Sequence, residues 1–391
     1  MNSLKYFLIV LCSLQLTGCN EAVVPEVIKH DVDSIAARWV PQHAEGLCDH
    51  ELIAVPGKEI VIKGETNLPG AKKEILDYLA GSGFNIIDSL NLLPDTNVVK
   101  KPWGLITLSV CNIRSQASHD AELVTQAIMG TPVKILKKHG GWLFIQSPDS
   151  YLGWTNDDAV TELTEGEMIE WKNADRIIYT KNYGDILSGE GQVVSDLVYG
   201  AIMVKGGEEK RSYIVILPDG RKGTVKKSDA LEFASWAMQA KPEADNLIAF
   251  GRTLLGSPYL WGGTSTKGID CSGFVKTIYF TGGVILKRDA SSQYLYGEEI
   301  SIENSLDSLA PGDLLFFGRI RNGKKRVGHT GMYIGDTEVI HSSGMVKINS
   351  LDSTRVNFSN YLSSTLLGAK RFIGIPAGNG TERVSQHKWY F

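Results

Sequence analysis

One cysteine and two histidines of this chain have the residue types that nucleophilic catalysis requires. Cys271 stands in the segment GIDCSGF, and His329 and His341 stand in the segment VGHTGMYIGDTEVIHS. A nucleophilic thiol needs a base beside it, and the base needs a group that holds its orientation. The three residues together could attack a carbonyl carbon, with one imidazole accepting the thiol proton and the other fixing its tautomer.

The residues around Cys271 predict a helix that begins at the cysteine. Gly268 permits a turn, Asp270 can cap a helix, and apolar residues follow at helical spacing over 274–279. A thiol in the first turn feels the positive end of the helix dipole, so we expect its pKa to be lowered. Taken alone, these residues fit a small core residue near a helix start equally well.

The two histidines are predicted to share one face of a β-hairpin. Residues from His329 alternate in polarity, and Gly335-Asp336-Thr337 is a turn signal. A three-residue loop centred on Asp336 would place His341 opposite Gly331, diagonally adjacent to His329. Zinc binding by Cys271 and the two histidines is a weaker alternative, because their spacing matches no short zinc motif and no fourth ligand stands out.

Five segments in order resemble the NlpC family of papain-like cysteine peptidases over residues 241–375. They are PYLWGG, DCSGF, PGDLLFF, GHTGMYIG and VIHSSG. The resemblance implies an α+β domain in which a helix carrying the cysteine packs on a five- or six-stranded antiparallel sheet carrying the histidines. It also implies cleavage of peptidoglycan stem peptides at γ-D-glutamyl bonds.

The same resemblance implies a role for several residues. Cys271 would be the nucleophile, His329 the general base and His341 the third, orienting residue. Tyr259 matches a tyrosine whose hydroxyl helps to form the oxyanion hole with the backbone N–H of the cysteine. The positions of Trp261 and Ser272 match residues that line the substrate cleft.

Upstream of this region, two segments form an internal repeat of short strands. Residues 126–160 and 195–231 share a Gly-then-strand start, a turn, a strand, a Pro-Asp turn and a final strand. They resemble bacterial SH3-like domains, which we place at 104–165 and 166–235; one continuous β-sandwich is the alternative. The predicted fold is therefore multidomain, with two small all-β SH3-like barrels before an α+β papain-like catalytic domain.

This architecture resembles the γ-D-glutamyl-L-diamino acid endopeptidases that act on free stem peptides. In that subgroup, an acidic residue beside the cysteine and a Glu and a Tyr from the first SH3-like domain hold the free amine of the N-terminal L-Ala. Asp270, Glu122 and Tyr151 are the candidates here. Where the subgroup has a serine after Arg-Asp, this chain reads RDASSQ, so Ala290 occupies that position and Ser291 is the candidate replacement.

The N-terminal residues are typical of an export signal. Lys5 precedes a short apolar stretch over 6–16, and the sequence LTGC ending at Cys19 resembles the lipobox of bacterial lipoproteins. We therefore expect residues 1–19 to be a lipoprotein signal peptide, with lipidation at Cys19. The protein would be an exported, membrane-anchored bacterial lipoprotein in the periplasm or at the cell surface. An ordinary signal peptide with a chance cysteine is the alternative.

The composition limits the remaining possibilities. A formal net charge of −4 over 391 residues argues against nucleic acid as a partner, because no basic surplus exists to replace counterions. Cys48 and Cys111 could form a disulfide or be small buried residues. Residues 20–103 are a mixed segment without an assigned role, and 376–391 are predicted to be a loose tail.

The predicted function is a cysteine endopeptidase that needs no metal or organic cofactor. Its expected substrates are peptidoglycan-derived stem peptides with a free N-terminal L-Ala, cut at the γ-D-glutamyl–diamino acid bond in cell-wall peptide recycling. The alternative is an endopeptidase that acts on intact peptidoglycan, with the SH3-like domains as wall-binding modules.

Overall fold

The computed structural model describes residues 23–41, 45–303, 305–378 and 380–391. The predicted signal peptide and its lipidation site Cys19 lie outside the described residues. None of the helices in the described ranges combines the length and the apolar composition that crossing a bilayer requires. The α-helices are α1 Glu26–Trp39, α2 Pro69–Ala80, α3 Glu165–Asn173, α4 Phe233–Gln239, α5 Ala244–Thr253, α6 Cys271–Thr281, α7 Ala290–Gln293 and α8 Asn360–Thr365.

The strands fall into four groups along the chain. The first group is β1 Cys48–Val55, β2 Glu59–Thr66 and β3 Asn85–Leu92. The second is β4 Trp103–Ile106, β5 Val110–Arg114, β6 Leu123–Ile128, β7 Pro132–His139, β8 Trp142–Gln146, β9 Leu152–Asn156 and β10 Val160–Leu163. The third is β11 Arg176–Tyr179, β12 Tyr183–Leu187, β13 Val193–Val198, β14 Ile202–Glu208, β15 Ser212–Ile216, β16 Lys222–Lys226 and β17 Ala230–Glu232. The fourth is β18 Thr264–Ser265, β19 Gly268–Ile269, β20 Val284–Leu286, β21 Glu298–Ile300, β22 Leu314–Arg321, β23 Lys324–Gly335, β24 Glu338–Ser343, β25 Met345–Ser350, β26 Leu366–Arg371 and β27 Thr381–Arg383.

Residues 23–39 and 48–91 form one compact unit, and the rest of the described chain forms another. In the first unit, α1 and α2 accompany a three-stranded sheet of order β1-β2-β3. Val32, Ile62 and Leu79 are fully buried in its core. Helix α2 begins at Pro69, because proline suits the first helical turn, and Gly81 caps its end.

The internal repeat is confirmed as two tandem domains with the same topology. The first seven-stranded sheet has the order β10-β4-β7-β8-β9-β5-β6. The second has the order β13-β12-β16-β15-β14-β11-β17. When seven is added to each strand number of the first sheet and the order is reversed, the two orders are identical. Each domain has its own buried apolar cluster, so the single continuous sandwich is excluded.

The region that resembles the NlpC peptidases, residues 241–375, contains a helix packed on a six-stranded antiparallel sheet, as the resemblance implied. The strand order is β21-β26-β22-β23-β24-β25. Helix α6 packs on β23 and β24, and Phe274, Val275 and Ile278 are fully buried in the shared core. The helix that begins at Cys271 therefore lies against the two strands that carry the histidines.

Strand β6 of the first SH3-like domain runs against the segment that leads into α6. Thr264 donates hydrogen bonds from its N–H to Gln126 Oε1 at 3.1 Å and from its hydroxyl to the Gln126 carbonyl at 2.9 Å. Gly262 has φ of +77°, and a Cβ there would lie 2.4 Å from the carbonyl oxygen of Leu123. A glycine is therefore required at 262 for the two domains to approach this closely.

The prediction of a loose tail at 376–391 is wrong. Strand β27 pairs with β20, with Val284 opposite Arg383. Downstream of β27, Val384 and Tyr390 are buried, and His387 Nε2 donates to the carbonyl oxygen of Pro148 at 3.0 Å. The Gly- and Pro-rich stretch before β27 suggested disorder, but the residues after it bury too much apolar surface to stay in solvent.

A buried arginine in the second SH3-like domain also holds the tail. Arg176 donates from Nη2 to the Tyr390 carbonyl at 2.8 Å. Its guanidinium lies over the rings of Trp171, Phe233 and Phe391, 4.3, 4.8 and 5.5 Å from their centroids. These cation–π contacts stabilise a charge whose pKa burial lowers to about 10.

Cys48 and Cys111, the cysteines outside the candidate site that the structure describes, are free thiols. Cys48 is half-buried and Cys111 is fully buried, and neither forms a disulfide. Cys111 Sγ lies 3.0 Å from the Thr155 hydroxyl, and burial raises the pKa of its thiol to about 11. Cys111 therefore behaves as a small, inert core residue.

Candidate active site

Cys271 is the first residue of α6, as predicted. Asp270 is the N-cap, and its Oδ1 accepts the N–H of Gly273 at 2.7 Å. The first N–H groups of a helix have no partner within the helix, so the N–H of Cys271 points out of the helix start. A Cβ at Gly273 would lie 2.1 Å from the carbonyl oxygen of Gly263, so the glycine allows the first turn to pack closely.

The expected low pKa of the thiol is not what the structure shows. Burial raises the pKa of Cys271 to about 11, and the nearby charge of Asp270 acts in the same direction. The backbone N–H groups of Thr330 and Ser272 oppose this shift by hydrogen bonding to the sulfur. The helix start does favour the thiolate, but the side chain is 7% exposed and desolvation dominates.

The two histidines share one face of the β23–β24 hairpin, as predicted, although the loop differs. Met332 pairs with Ile340, and a Cβ on Gly331 would lie 2.8 Å from the Cβ of His341, so the predicted register is confirmed. The loop contains two residues, Asp336 and Thr337, both with positive φ, and a bulge between Tyr333 and Gly335 restores the register.

A directional chain of hydrogen bonds sets the tautomers of both rings. Asn349 Nδ2 donates to the Asn357 carbonyl at 3.0 Å, so Asn349 Oδ1 faces His341 Nε2, 3.0 Å away, and accepts its proton. The neutral His341 then accepts at Nδ1, and the partner 2.8 Å away is His329 Nε2. His329 therefore carries its proton on Nε2, and its Nδ1 keeps a lone pair free to accept a proton.

Both imidazoles are neutral at ordinary pH. Burial, with a smaller effect of His341 and Lys347, lowers the pKa of His329 to about 3. Burial is also the largest influence on His341 and lowers its pKa, against a smaller opposing effect of the Asn349 hydrogen bond. At neutral pH the proton therefore stays on the Cys271 sulfur, and the neutral His329 keeps its lone pair on Nδ1.

A cavity of about 260 Å³ opens over the Cys271 sulfur between the catalytic region and the first SH3-like domain. Every substrate-contacting residue predicted from the sequence lines it. These residues are Glu122, Tyr151, Tyr259, Trp261, Asp270, Ser272 and Ser291. Tyr259 is half-buried, and burial followed by the charges of Cys271 and Asp270 raises the pKa of its hydroxyl, which therefore stays protonated as an oxyanion donor would.

Asp270 is fully engaged by neighbouring groups, which argues against the predicted contact with a substrate amine. Its main partner is Arg288, whose side chain is 1% exposed. Asp270 accepts from Gly262 N at 3.0 Å, Gly273 N at 2.7 Å, Ser272 Oγ at 3.3 Å and two nitrogens of Arg288 at 3.2 and 2.5 Å. The buried ion pair cancels its charge and places its carboxylate as a support for the helix start.

Asp289 is the carboxylate on this side of the cavity that the sequence analysis missed. It lines the cavity and accepts a hydrogen bond from the Tyr151 hydroxyl at 3.2 Å. Burial raises its pKa, with Arg288 opposing. On the opposite wall, Glu122 is exposed, and Oε1 accepts from Trp261 Nε1 at 2.8 Å. Glu122, Asp289 and Tyr151 therefore all line the cavity beside Cys271.

The two serines of the prediction differ in their surroundings. Ser272 is buried, and its hydroxyl accepts from Arg288 Nη1 at 2.9 Å, so it is held by the ion pair. Ser291 lines the cavity next to Ala290, the residue that stands where the subgroup has serine. A compensating contact by Ser291 stays a prediction.

The positions of Asn349 and Asp289, which were not predicted, are both indicated by local sequence patterns. Asn349 lies on β25, where His341 pairs with Lys347 around the turn at Gly344, so Asn349 is its diagonal neighbour on the same face. Gly344 has φ of +73°, and the turn it marks was readable from the sequence. Asp289 follows the arginine in RDASSQ, the same segment in which Ala290 stands in place of the serine of the subgroup.

Two family models match parts of the chain. A model of the NlpC/P60 family matches residues 256–369, and a model described as a bacterial dipeptidyl-peptidase Sh3 domain matches residues 113–160. The chain belongs to the NlpC/P60 family of cysteine peptidases, which confirms the resemblance seen in its sequence.

Particular relatives share more than the catalytic region. The chain is 32% identical over 313 residues to the gamma-D-glutamyl-L-lysine dipeptidyl-peptidase of Bacillus cereus, an alignment that covers 77% of this chain and 91% of that protein. The Bacillus subtilis protein of the same name is 29% identical over 57% of this chain and 73% of its own length. A crystal structure of an NlpC/P60 family protein from Bacillus cereus superposes with a TM-score of 0.59 and 27% identity, covering 69% of this chain and 99% of that one.

Proposed function

We propose that this chain hydrolyses the γ-D-glutamyl–diamino acid bond of peptidoglycan stem peptides that carry a free N-terminal L-Ala. The observation that carries the proposal is the cavity beside Cys271, which is lined by the carboxylates of Glu122 and Asp289 and by Tyr151. The names of two relatives, gamma-D-glutamyl-L-lysine dipeptidyl-peptidases, support the same reaction.

The reaction begins with transfer of the thiol proton. As the Cys271 sulfur attacks the carbonyl carbon of the γ-D-glutamyl group, its proton moves to Nδ1 of His329, which His341 and Asn349 hold in the accepting tautomer. The developing oxyanion accepts from the Cys271 N–H and the Tyr259 hydroxyl. Because both reacting groups start neutral, charge separates only when the substrate carbonyl is in place.

Collapse of the tetrahedral intermediate breaks the C–N bond. His329 gives its proton to the leaving amine, and a thioester joins the L-Ala-γ-D-Glu acyl group to Cys271. Water then attacks the thioester while His329 takes one of its protons. The dipeptide leaves with a new carboxylate, and the proton returns to the sulfur.

The carboxylates explain why a free amine would be selected. Asp270 forms a direct ion pair with Arg288, whereas for Asp289 burial outweighs the influence of Arg288 and raises the pKa of the carboxyl group. An L-Ala ammonium between Asp289 and Glu122 would offset this effect of burial through charge-assisted hydrogen bonds. An N-acylated peptide, or a stem still joined to a glycan, has no such charge to offer.

The test is hydrolysis of L-Ala-γ-D-Glu-diaminopimelate beside its N-acetylated form, followed by mass spectrometry. We expect L-Ala-γ-D-Glu to be released from the free peptide, with kcat/KM at least 100-fold lower for the blocked peptide. Cys271→Ala should abolish both reactions. Equal turnover of the two peptides would contradict the amine selection, and hydrolysis of intact peptidoglycan at a comparable rate would favour the wall endopeptidase instead.

We also propose that the chain is an exported lipoprotein anchored through Cys19, and we base this on the apolar stretch and the LTGC segment. Its test is metabolic labelling with a fatty acid that carries an alkyne. The wild-type chain should be labelled and Cys19→Ala should not. Equal labelling of the two would contradict the anchor.

A further inference from the structure

The β22–β23 hairpin concentrates positive charge in a chain of net negative charge. Between Gly318 and Val327 the sequence reads RIRNGKKR, with five cations in eight residues, although the whole chain has a formal net charge of −4. Asn322 and Gly323 form the two-residue turn, with φ of 52° and 70°. All eight residues of the hairpin tip are exposed.

Four of the five cations lie on one face of this ribbon. Arg319 pairs with Arg326 and Arg321 pairs with Lys324, and alternation along each strand places the two pairs on the same side. We call these four residues the basic face. Lys325 lies on the other face, where its Nζ donates to the Tyr294 hydroxyl at 2.9 Å.

The charges of the basic face have no acidic partner among the residues that the structure describes. None of its four side chains forms an ion pair with a carboxylate in the described ranges 23–41, 45–303, 305–378 and 380–391. Glu299, on strand β21 of the same sheet, pairs with Lys370. Like charges directly opposite each other across two strands are destabilising, so the arrangement favours a ligand that brings several anions at once.

The spacing of the charges suits an extended anionic surface. Opposed residues lie about 5 Å apart, and the two pairs are about 7 Å apart along the strands. One carboxylate of a peptide substrate cannot reach all four groups. Val327, which lines the cavity beside Cys271, pairs with Gly318 on the other face of the ribbon, so the basic face is turned away from the substrate.

We propose that the basic face is a docking surface for an anionic phospholipid membrane. Each Lys or Arg held near such a surface strengthens binding about fivefold, and a polybasic patch supplements a lipid anchor. The lipobox predicted at Cys19 would bring the chain to a membrane. The basic face would then hold the catalytic region against the headgroups.

Limited trypsin digestion of the full chain on vesicles tests this proposal. Phosphatidylcholine vesicles with and without phosphatidylglycerol are compared, and mass spectrometry follows cleavage after Arg319, Arg321, Lys324 and Arg326. We expect cleavage to be at least tenfold slower on the anionic vesicles, and 0.5 M NaCl should remove the protection because screening shortens the range of the attraction. Equal cleavage on both kinds of vesicle would overturn the proposal.

The chain contains a matched internal control. The exposed β14–β15 hairpin also offers trypsin two sites, Lys210 and Arg211, but here acidic residues accompany the cations: Glu208 and Glu209 precede them, and Glu208 pairs with Lys205 and Lys227. Cleavage there should not depend on the lipid. Equal slowing at both hairpins would show a general effect of the vesicles and would overturn the proposal.

Two variants and one soluble polyanion complete the test. Arg319→Gln should raise the lipid concentration for half-protection about fivefold, whereas Ile320→Ser, on the other face of the ribbon, should leave it unchanged. An equal effect of both variants would contradict the electrostatic origin. Inorganic polyphosphate that protects the hairpin as well as vesicles do, at equal phosphate concentration, would overturn the membrane assignment in favour of a soluble polyanion.

Discussion

Replacing Asn349 by alanine should slow catalysis without weakening substrate binding. Asn349 accepts the Nε2 proton of His341 at 3.0 Å, and this contact forces His329 to keep Nδ1 free as the base. Without the acceptor, His341 can adopt the other tautomer and donate from Nδ1, and His329 must then carry its proton on Nδ1. In that tautomer His329 cannot accept the thiol proton from Cys271.

The size of the effect follows from the burial of the hydrogen bond. His341 is 3% exposed, and leaving a buried donor without a partner costs about 1–3 kcal/mol. The population of the productive tautomer, and with it kcat, should fall about 5- to 150-fold. Asn349 is absent from the cavity lining among the described residues, so KM should not change.

Steady-state kinetics on the free tripeptide at pH 7.5 provides the assay, and Asn360→Ala on the exposed start of α8 is the matched control. Asn349→Asp gives a second readout, because a carboxylate would favour the imidazolium form and raise the pKa of His341. The acid limb of the kcat profile should then move to higher pH. An Asn349→Ala enzyme with a normal kcat and a raised KM would refute the tautomer argument.

Three further predictions concern the same site. The pKa of His329 falls from 6.5 in the unfolded chain to about 3 in the folded protein. The free energy of unfolding should therefore decrease as the pH falls through this window, by about 2 kcal/mol at pH 5. In urea denaturation, His329→Gln should remove this contribution to the pH dependence. Gly331→Ala places a Cβ 2.8 Å from the Cβ of His341, and the displaced ring should lower kcat about 100-fold. Arg288→Met leaves the buried Asp270 unpaired and should lower the free energy of unfolding by about 3–5 kcal/mol, measured in urea.

Each of these predictions has its own control or contrary outcome. An unchanged pH dependence in His329→Gln would mean that the folded protein already accommodates the charged ring. Gly189→Ala, where an added Cβ meets no atom within 4 Å, should keep full activity. Arg252→Met, at an exposed position of helix α5, should change the free energy of unfolding by less than about 0.5 kcal/mol. A comparable loss in Arg252→Met would contradict the role of the buried pair.

Local signals were sufficient to predict how the candidate residues Cys271, His329 and His341 are placed in the fold. Asp270 and the apolar run after Cys271 define a helix start whatever the rest of the fold does. The hairpin register was also predictable, but for a partly wrong reason. The loop is one residue shorter than expected, and the bulge next to Tyr333 compensates, so His329 and His341 still share a face.

Features that depend on long-range packing were not predictable in the same way. The thiol pKa depends on how deeply Cys271 is buried, and the helix start alone indicates the opposite direction. The carboxylate of Asp270 is engaged mainly by Arg288, whose side chain reaches it from a separate loop. The order of the tail depends on aromatic contacts with Arg176, which lies more than 200 residues earlier in the chain.

The docked tail has a consequence for the order in which the enzyme matures. Strand β27 pairs with β20, directly ahead of Arg288 and Asp289, and His387 contacts Pro148, close to Tyr151 on the opposite wall of the cavity. Residues 381–391 leave the ribosome after both walls have been made. A nascent chain therefore acquires its finished cleft only when synthesis has passed this segment, and truncated products should be left without full hydrolytic competence.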